Sequence, residues 1–329
     1  MRGFTGSNRR RMPNSWWGLR AQPMPAACGR AKLPLVLKPS LLPAVERAMR
    51  FGLNRRGFAS RDVRTPAALL HAFDAPGRGS LPPMAVLHGI GSAATAFWAT
   101  MERIRPHVRR IVAPDLPAHG FSASPSARLT PETLFATVTE ALDHLFDEPV
   151  LLVGNSLGGA LSLHYALARP ERVLGMVLIS PAGARVTEEE WRAVVRSFQI
   201  ESVAEARQML GRIYHRMPWY MPAFAPDFRV TMQRRAIREL LESATLDSLP
   251  EPERLRALRM PILLLWGRSE RVLPASSLTY FREHLPPQAI IEEPAGFGHC
   301  PHLDDPVRLA ARIVQFARHA EGASIRRAV

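Results

Sequence analysis

The alternation of short apolar runs with longer amphipathic segments, from about residue 68 onward, most restricts the folds open to this chain. The apolar runs are bounded by Gly, Pro or Asp, which is typical of strands that are covered on both faces. We predict strands at 85–87, 111–113, 150–153, 173–179, 262–266 and 289–291, and helices at about 131–146, 157–168, 275–285 and 306–318. This alternation requires right-handed crossovers, so the predicted fold class is α/β with a mostly parallel, doubly wound sheet.

One long segment interrupts the alternation. Between residues 185 and 252 the pattern contains no convincing strand and is helical instead, with a break rich in Pro and aromatic residues at 217–228. The helical patterns lie near 188–199, 203–215 and 231–243. We predict that residues 185–252 form a helical lid over the carboxyl edge of the sheet, and that 65–184 together with 253–329 form the core.

The sequence GNSLG at 154–158 lies directly after a predicted strand and directly before a predicted helix. Small residues on both sides of Ser156 allow the sharp strand-to-helix turn that projects a serine hydroxyl into a site. The N-terminus of the following helix favours negative charge that develops there. The pattern therefore predicts Ser156 as a nucleophile for acyl transfer.

Acyl transfer also needs hydrogen-bond donors for the oxyanion and a general base. The glycines of HGIG at 88–91 allow that loop to fold back, so we predict the backbone N–H groups of Ile90 and Leu157 as the oxyanion donors. For the base we predict His299, within GFGHCPH at 296–302, with His302 as its competitor. Cys300 is not expected to act as a nucleophile, because the turn already presents a serine.

These motifs, in this order, resemble those of enzymes with the α/β-hydrolase fold over roughly residues 66–318. Besides GNSLG and HGIG, the chain has DLPAHGFS at 115–122 and HCPHLDDP at 299–306, which are similar to the family's loop and terminal histidine motifs. The resemblance places the acid of a catalytic triad at Glu270, where most relatives have Asp. Glu is an accepted variant of that acid. The alternatives are that Glu270 pairs with a neighbouring arginine, and that Asp247 or Asp304 is the acid.

The resemblance implies a serine hydrolase that cleaves carboxylic esters and requires no metal or organic cofactor. The predicted lid is rich in aromatic residues and methionine, which favours an apolar acyl pocket. We predict Met217, Trp219 and Phe224 as substrate-binding residues. The segment SPAG at 180–183 resembles bacterial lipases and monoacylglycerol lipases, so the expected substrate is a small-molecule ester with a medium or long acyl group.

Other functions on the same fold stay open. A carbon–carbon bond hydrolase of ring-cleavage products uses the same Ser, acid and His, and thioesterases and acyltransferases also pass through an acyl-enzyme. Haloalkane dehalogenases and epoxide hydrolases use an aspartate nucleophile, so Ser156 argues against both. A non-catalytic scaffold that only binds ligands is the alternative from a different class.

The net charge of +14 is concentrated in the N-terminal part of the chain. Residues 1–64 carry 14 Lys and Arg but only Glu46 and Asp62, which leaves the rest of the chain nearly neutral. We predict a basic arm over these residues, partly disordered or helical. It is either a solvated extension or a peripheral contact with an anionic membrane surface. No known nucleic-acid-binding motif accompanies the charge, so no nucleic-acid partner is expected.

The sequence also restricts where in the cell the protein is expected. The sequence contains no run of 18 apolar residues, so no membrane-spanning helix is predicted. No apolar run of signal-peptide length follows the first arginines. Cys28 and Cys300 are too few for a disulfide framework. We therefore expect a cytoplasmic protein, with association of the arm with a membrane left open. No feature of the sequence indicates an oligomeric state.

Overall fold

The computed structural model describes residues 40–328, with side chains up to residue 323. The first 39 residues of the predicted basic arm, including Cys28, lie outside the described residues. The described residues form an eight-stranded sheet with the strand order β1-β2-β4-β3-β5-β6-β7-β8. The strands are β1 Ala59–Arg64, β2 Leu69–Pro76, β3 Met84–Leu87, β4 Arg110–Pro114, β5 Val150–Asn155, β6 Val173–Ile179, β7 Ile262–Leu265 and β8 Ile290–Glu292.

The described residues also form α-helices, which from β3 onward lie between successive strands. They are α1 Leu41–Arg55, α2 Trp98–Ile104, α3 Pro131–Leu145, α4 Leu157–Ala168, α5 Glu188–Phe198, α6 Val203–Ile213, α7 Ala225–Met232, α8 Arg235–Ser243, α9 Pro252–Arg256, α10 Ala275–His284, α11 Pro301–Asp304 and α12 Pro306–Ala328. All pairings among the strands from β3 to β8 are parallel, whereas β1 with β2 and β2 with β4 are antiparallel. The predicted α/β class and its mostly parallel sheet are therefore confirmed.

Both faces of the sheet are buried. Along β5, Val150 and Leu152 belong to one apolar cluster, and Leu151 and Val153 belong to the other. Side chains of a strand point alternately to the two faces, so each cluster fills the space between one face and its helices. Helices α3, α4 and α10 cover the first face, and α1, α2 and α12 cover the second. This burial on both sides explains why the strands are apolar throughout.

The N-terminal part of the sheet was not predicted. Strand β1 is an edge strand in which Val63 is the only buried residue, so it lacks the apolar run that marks the interior strands. It pairs with β2 over its whole length, from Ala59 opposite Asp74 to Arg64 opposite Leu69. The sheet therefore begins before the predicted core boundary at residue 65.

Helix α1 belongs to the same compact unit as the sheet, and this unit starts at Ser40. At its N-terminus the side chain of Ser40 donates to Asp227 Oδ1 at 2.6 Å, and the backbone N–H of Leu42 donates to Asp227 Oδ2 at 2.8 Å. These bonds attach the start of α1 to α7. Within residues 40–328, no helix has the length and apolarity needed to cross a membrane. Contact of the basic arm with a membrane surface stays a prediction.

The segment between β6 and β7 is helical, as its pattern predicted. Helices α5 and α6 each begin with a capping box, formed by Thr187 with Glu190 and by Ser202 with Glu205. These reciprocal bonds satisfy N–H groups that the first helical turn leaves unpaired. The break at 217–228 contains the first residues of α7, which was not predicted. The helices share an apolar cluster of their own that packs against Ile90.

Candidate active site

Ser156 lies at the sharp turn between β5 and α4. It has φ +53° and ψ −116°, a backbone conformation that residues other than glycine rarely adopt. The flanking glycines leave the space that this turn requires. A Cβ added to Gly154 would lie 2.2 Å from the carbonyl oxygen of Gly158, and one added to Gly158 would lie 2.1 Å from that of Leu87. Strain of this kind persists only where the surrounding structure holds it, and it is common at functional sites.

The close packing of the Ser156 turn predicts that a larger residue at its glycines lowers the stability of the protein. Gly158→Ala forces its methyl group against backbone that cannot move aside, so we expect the free energy of unfolding to fall by about 1–3 kcal/mol. Gly211→Ala, in α6, is the matched control because nothing lies within 4 Å of its added Cβ. That change should raise stability by about 0.5–1 kcal/mol, since Ala is the better helix former. Denaturant unfolding measures both, and equal effects of the two substitutions would contradict the packing argument.

His299 and Glu270 form a buried pair. His299 Nδ1 lies 2.8 Å from Glu270 Oε2, and both side chains are almost fully buried. The other carboxylate oxygen, Oε1, accepts the backbone N–H groups of Val272 at 2.7 Å and Leu273 at 3.1 Å. Burial raises the pKa of Glu270, but the charge and hydrogen bond of His299, aided by the N–H of Leu273, outweigh it, so the pKa is lowered overall. The ionised carboxylate can only accept, so Nδ1 carries the hydrogen and Nε2 is left for the site.

Two side chains fix the loop that carries His299. Asn155, next to Ser156, donates through Nδ2 to the carbonyl oxygen of His299 at 2.8 Å and to that of Ile179 at 3.1 Å. Asp304 accepts the backbone N–H groups of His215 and Gly298, each at 2.8 Å. Asp304 therefore holds the loop against the helical insertion and does not contact the imidazole through a hydrogen bond.

Ser156 and His299 line the same cavity, but no hydrogen bond joins their side chains in the described structure. The hydrogen bond expected between a nucleophile and its base is therefore not formed in this conformation. Such bonds are often long or poorly aligned in free enzymes and shorten when substrate binds. Both side chains face one space, which allows a bound substrate to bring them together.

The loop after β3 lies against the turn of Ser156. A Cβ added to Gly89 would lie 3.2 Å from Ser156 Cβ, so the loop backbone passes directly beside the serine. Within residues 40–328, the backbone N–H groups of Ile90 and Leu157 donate no hydrogen bond. Ile90 and Leu157 both line a cavity that also contains Ser156. Two unpaired donors beside a serine hydroxyl fit a developing negative charge.

Two buried histidines shape this loop without reaching the cavity through a free nitrogen. His88 donates through Nδ1 to the carbonyl oxygen of Gly89 and accepts the N–H of Leu116 at Nε2. His119 accepts the N–H of Gly91 at Nε2 and donates through Nδ1 to the carbonyl oxygen of Pro117. Burial lowers the pKa of His88 and lowers that of His119 to about 3. Both are therefore neutral at physiological pH and act as supports.

Two cavities meet at Ser156. The apolar cavity, of about 120 Å³, is lined by residues of α3, α4, α5, α8 and α10 and of the loops between them. The larger cavity, of about 310 Å³, lies toward α1, α6 and α7 and contains His299. Ile90, Ser156 and Phe198 line both. The reacting centre of a substrate bound at Ser156 therefore has space on two sides.

Of the three predicted substrate-binding residues, one lines a cavity at Ser156 and two do not. Phe224 lines the larger cavity. Trp219 is 90% exposed and lines neither cavity, and Met217 packs against the apolar cluster of the insertion instead. The expectation for Trp219 and Met217 rested on residue type, which does not indicate which face of a break points inward. The pattern also missed Glu46 and Met49 of α1, which line the larger cavity.

Cys300 and His302, on either side of Pro301, are both buried, and Cys300 also lines the larger cavity. Burial raises the pKa of the Cys300 thiol well above its usual value, which disfavours a reactive thiolate. His302 stacks on Phe97 with ring centroids 3.8 Å apart, and burial lowers its pKa to about 3. The raised pKa of the Cys300 thiol and the stacked position of the His302 ring therefore favour Ser156 and His299 as the reactive groups.

Known proteins share this sequence pattern and this fold. A profile of the alpha/beta hydrolase family matches residues 84–312. The chain is 29% identical over 248 residues to 2-hydroxy-6-oxo-2,4-heptadienoate hydrolase of Pseudomonas putida, covering 68% of this chain and 83% of that protein. It is 27% identical over 260 residues to a pimeloyl-[acyl-carrier protein] methyl ester esterase of Xanthomonas axonopodis, covering 72% and 96%. The structure of a Bacillus subtilis carboxylesterase has a TM-score of 0.69 at 20% identity, covering 84% of this chain and 97% of that one, and shows the common fold.

Proposed function

Because the chain belongs to the alpha/beta hydrolase family, we propose that it is a serine hydrolase that cleaves carboxylic esters through an acyl-enzyme. The observation that carries the proposal is the His299–Glu270 pair, which occupies Nδ1 of an imidazole that lines the same cavity as Ser156. The family includes esterases and carbon–carbon bond hydrolases among the relatives of this chain.

The mechanism follows from the positions of these groups. His299 Nε2 takes the proton of the Ser156 hydroxyl as its oxygen attacks the ester carbonyl carbon. The carbonyl oxygen becomes an oxyanion held by the N–H groups of Ile90 and Leu157. The carbon–oxygen bond to the alcohol then breaks, and the alcohol leaves with the proton from His299. A water molecule repeats both steps on the acyl-enzyme, which releases the acid and restores Ser156.

Glu270 has two functions in this mechanism. Its carboxylate accepts the Nδ1 hydrogen of His299, which keeps Nε2 able to accept the serine proton. It also stabilises the positive charge of the imidazolium once that proton has been taken. The backbone N–H groups of Val272 and Leu273 hold the carboxylate in position, so Glu serves here although it is one methylene longer than Asp.

We propose that the apolar cavity binds the acyl group. Its lining includes side chains from the core and from the insertion, and none of its described lining residues is charged. Among them are Leu134, Phe135, Trp191, Val194, Leu240 and Leu241. Burial of an acyl chain against such a surface is favourable by roughly 0.8 kcal/mol for each CH₂ group, which supports a medium or long acyl group.

A chain-length series tests this substrate class. With p-nitrophenyl esters and monoacylglycerols of increasing acyl length, we expect kcat/KM to rise from acetate to medium chains by about two- to fourfold per CH₂ group, until the cavity is full. The assay uses one leaving group throughout each series, so only the acyl contact changes. A preference for acetate over every longer acyl group would exclude the proposed acyl pocket.

The second candidate function is hydrolysis of a carbon–carbon bond in a ring-cleavage product. The similarity to the Pseudomonas putida hydrolase favours it. The named substrate of that relative is a dienoate, which carries a carboxylate. No Arg or Lys is among the described residues that line the two cavities, whereas Glu46 does line the larger one. An anion would be desolvated there without a positive partner, so we favour esters. Turnover of a 2-hydroxy-6-oxo-dienoate faster than of any ester would reverse that preference.

A further inference from the structure

Helix α1 forms one wall of the larger cavity. Leu42, Val45, Glu46 and Met49 of this helix line the same space as Ser156 and His299. The region that matches the family profile starts at residue 84, so this wall lies outside it. Asp227 fixes the start of α1 to α7 through two hydrogen bonds, which gives the wall a defined position. Specificity on this side of the site therefore depends on residues outside the region that the family profile matches.

Glu46 is the polar feature of that wall. It is the one carboxylate among the described residues that line the larger cavity, and most of its neighbours there are apolar. Within residues 40–328 its side chain makes no hydrogen bond and no ion pair. Burial, together with the charges of Asp115 and Asp227, raises the pKa of Glu46 to about 7 against the opposing charge of Arg234. A half-buried acceptor without a donor costs free energy, and a ligand that supplies a donor would recover it.

We propose that the larger cavity holds the alcohol portion of the ester, and that Glu46 selects alcohols carrying a hydroxyl or ammonium group that donates a hydrogen bond to its carboxylate. The inference rests on the proposed ester hydrolysis. Two cavities meet at Ser156, so an acyl group in the apolar cavity leaves the larger cavity for the alcohol. Glu46 is a specificity-determining residue in this arrangement, because it binds the leaving group and does not touch the reacting atoms.

The choice of a donor follows from the chemistry of the lining. An ionised carboxylate can only accept hydrogen bonds, and a purely alkyl alcohol would leave it desolvated and unpaired. A site built to bond a polar group discriminates strongly against an analogue that lacks it. Hydroxyl and ammonium groups share this donor chemistry but differ in charge, which allows an experiment to separate them.

The experiment compares esters of one acyl group with three alcohols of equal length: n-alkyl, ω-hydroxyalkyl and ω-aminoalkyl, over several lengths. In the wild-type protein we expect kcat/KM for the best hydroxyalkyl or aminoalkyl ester to exceed that for the matched alkyl ester by about ten- to hundredfold. Glu46→Leu should reduce this ratio to near one by slowing hydrolysis of the donor-bearing esters. Glu46→Gln keeps an acceptor but loses the charge, so the aminoalkyl preference should fall more than the hydroxyalkyl one.

Asp62→Asn is the matched control, because it makes an acid-to-amide change on an exposed residue of β1. It should keep the wild-type selectivity. Thermal unfolding of each variant shows whether α1 remains folded. Equal ratios in the wild type and both Glu46 variants would overturn the role of Glu46. Failure of the wild type to hydrolyse any ester, or to react with a fluorophosphonate, would instead overturn the proposed function.

A pH series separates the two kinds of donor. Ionisation of Glu46 at a pKa of about 7 makes it a better partner for a cation above that pH. We expect the ratio of kcat/KM for aminoalkyl to hydroxyalkyl esters to rise through pH 7 in the wild type and to stay flat in Glu46→Gln. Any effect of pH on the chemical steps is common to both substrates and cancels in the ratio. A falling ratio, or the same rise in both proteins, would contradict the assignment to Glu46.

Discussion

Replacement of Ser156 by alanine is expected to reduce kcat for ester hydrolysis by on the order of 10⁴–10⁶, to the background of binding and oxyanion stabilisation. The hydroxyl oxygen is the atom that forms the acyl bond in the proposed mechanism, and no neighbouring group can replace it. Cys300 is buried and its thiol pKa is raised. The Ser156 side chain makes no hydrogen bond within residues 40–328, so its loss should leave the unfolding temperature nearly unchanged.

Labelling with a fluorophosphonate probe provides a second measurement on the same variant. The wild type should react at one serine, and Ser156→Ala should not react. Ser197→Ala, on α5 and outside both cavities, is the control and should keep full activity and labelling. Wild-type activity in Ser156→Ala would refute the nucleophile assignment. An unreactive wild-type protein would favour the non-catalytic scaffold instead.

Replacement of Glu270 by glutamine should lower kcat by on the order of 10³–10⁴ with little change in KM. The Gln side chain can present an N–H₂ group to His299, which favours the tautomer with hydrogen on Nε2. That nitrogen could then no longer accept the proton of Ser156. The amide also lacks the charge that stabilises the imidazolium. Kinetics measured from pH 6 to 9 distinguish a lost catalytic function from a simple shift of the pH optimum.

The other proposed triad acids provide matched controls for Glu270. Asp304→Asn changes a carboxylate that holds the His299 loop through the backbone of His215 and Gly298, so about a tenfold loss at most is expected, with a lower unfolding temperature. Asp247→Asn changes an exposed side chain and should have no effect. A larger loss in Asp304→Asn than in Glu270→Gln would transfer the acid assignment to Asp304.

The sequence was sufficient to predict those parts of the fold that local residue patterns determine. The interior strands are continuous apolar runs because both sheet faces are covered, and this pattern predicted β3 to β8 correctly. The resemblance to α/β hydrolases is confirmed by the family profile. The pairing of β1 with β2 could not be read in the same way, because an edge strand with a single buried residue carries no periodic signal.

The residues of the site likewise differ in whether local sequence pattern could identify them. The turn at Ser156 has a local signature, since Gly154 and Gly158 are required by close contacts of the backbone. The partner of His299 depends on the packing of two distant loops, and only the resemblance pointed to Glu270. For the same reason Glu46 was missed as a cavity residue, and Trp219 was expected at the site although it is exposed and lines neither cavity. An amphipathic helix or an aromatic residue indicates that a surface is apolar, but it does not identify the surface that it meets.

The attachment of α1 to Asp227 has a consequence for synthesis. Leu42 leaves the ribosome before the carboxylate that caps its helix, which lies 185 positions further along the chain. The two hydrogen bonds that attach the start of α1 therefore cannot form until α7 has emerged. The larger cavity is one of the last parts of the molecule to assemble, because its walls meet through contacts of long sequence separation.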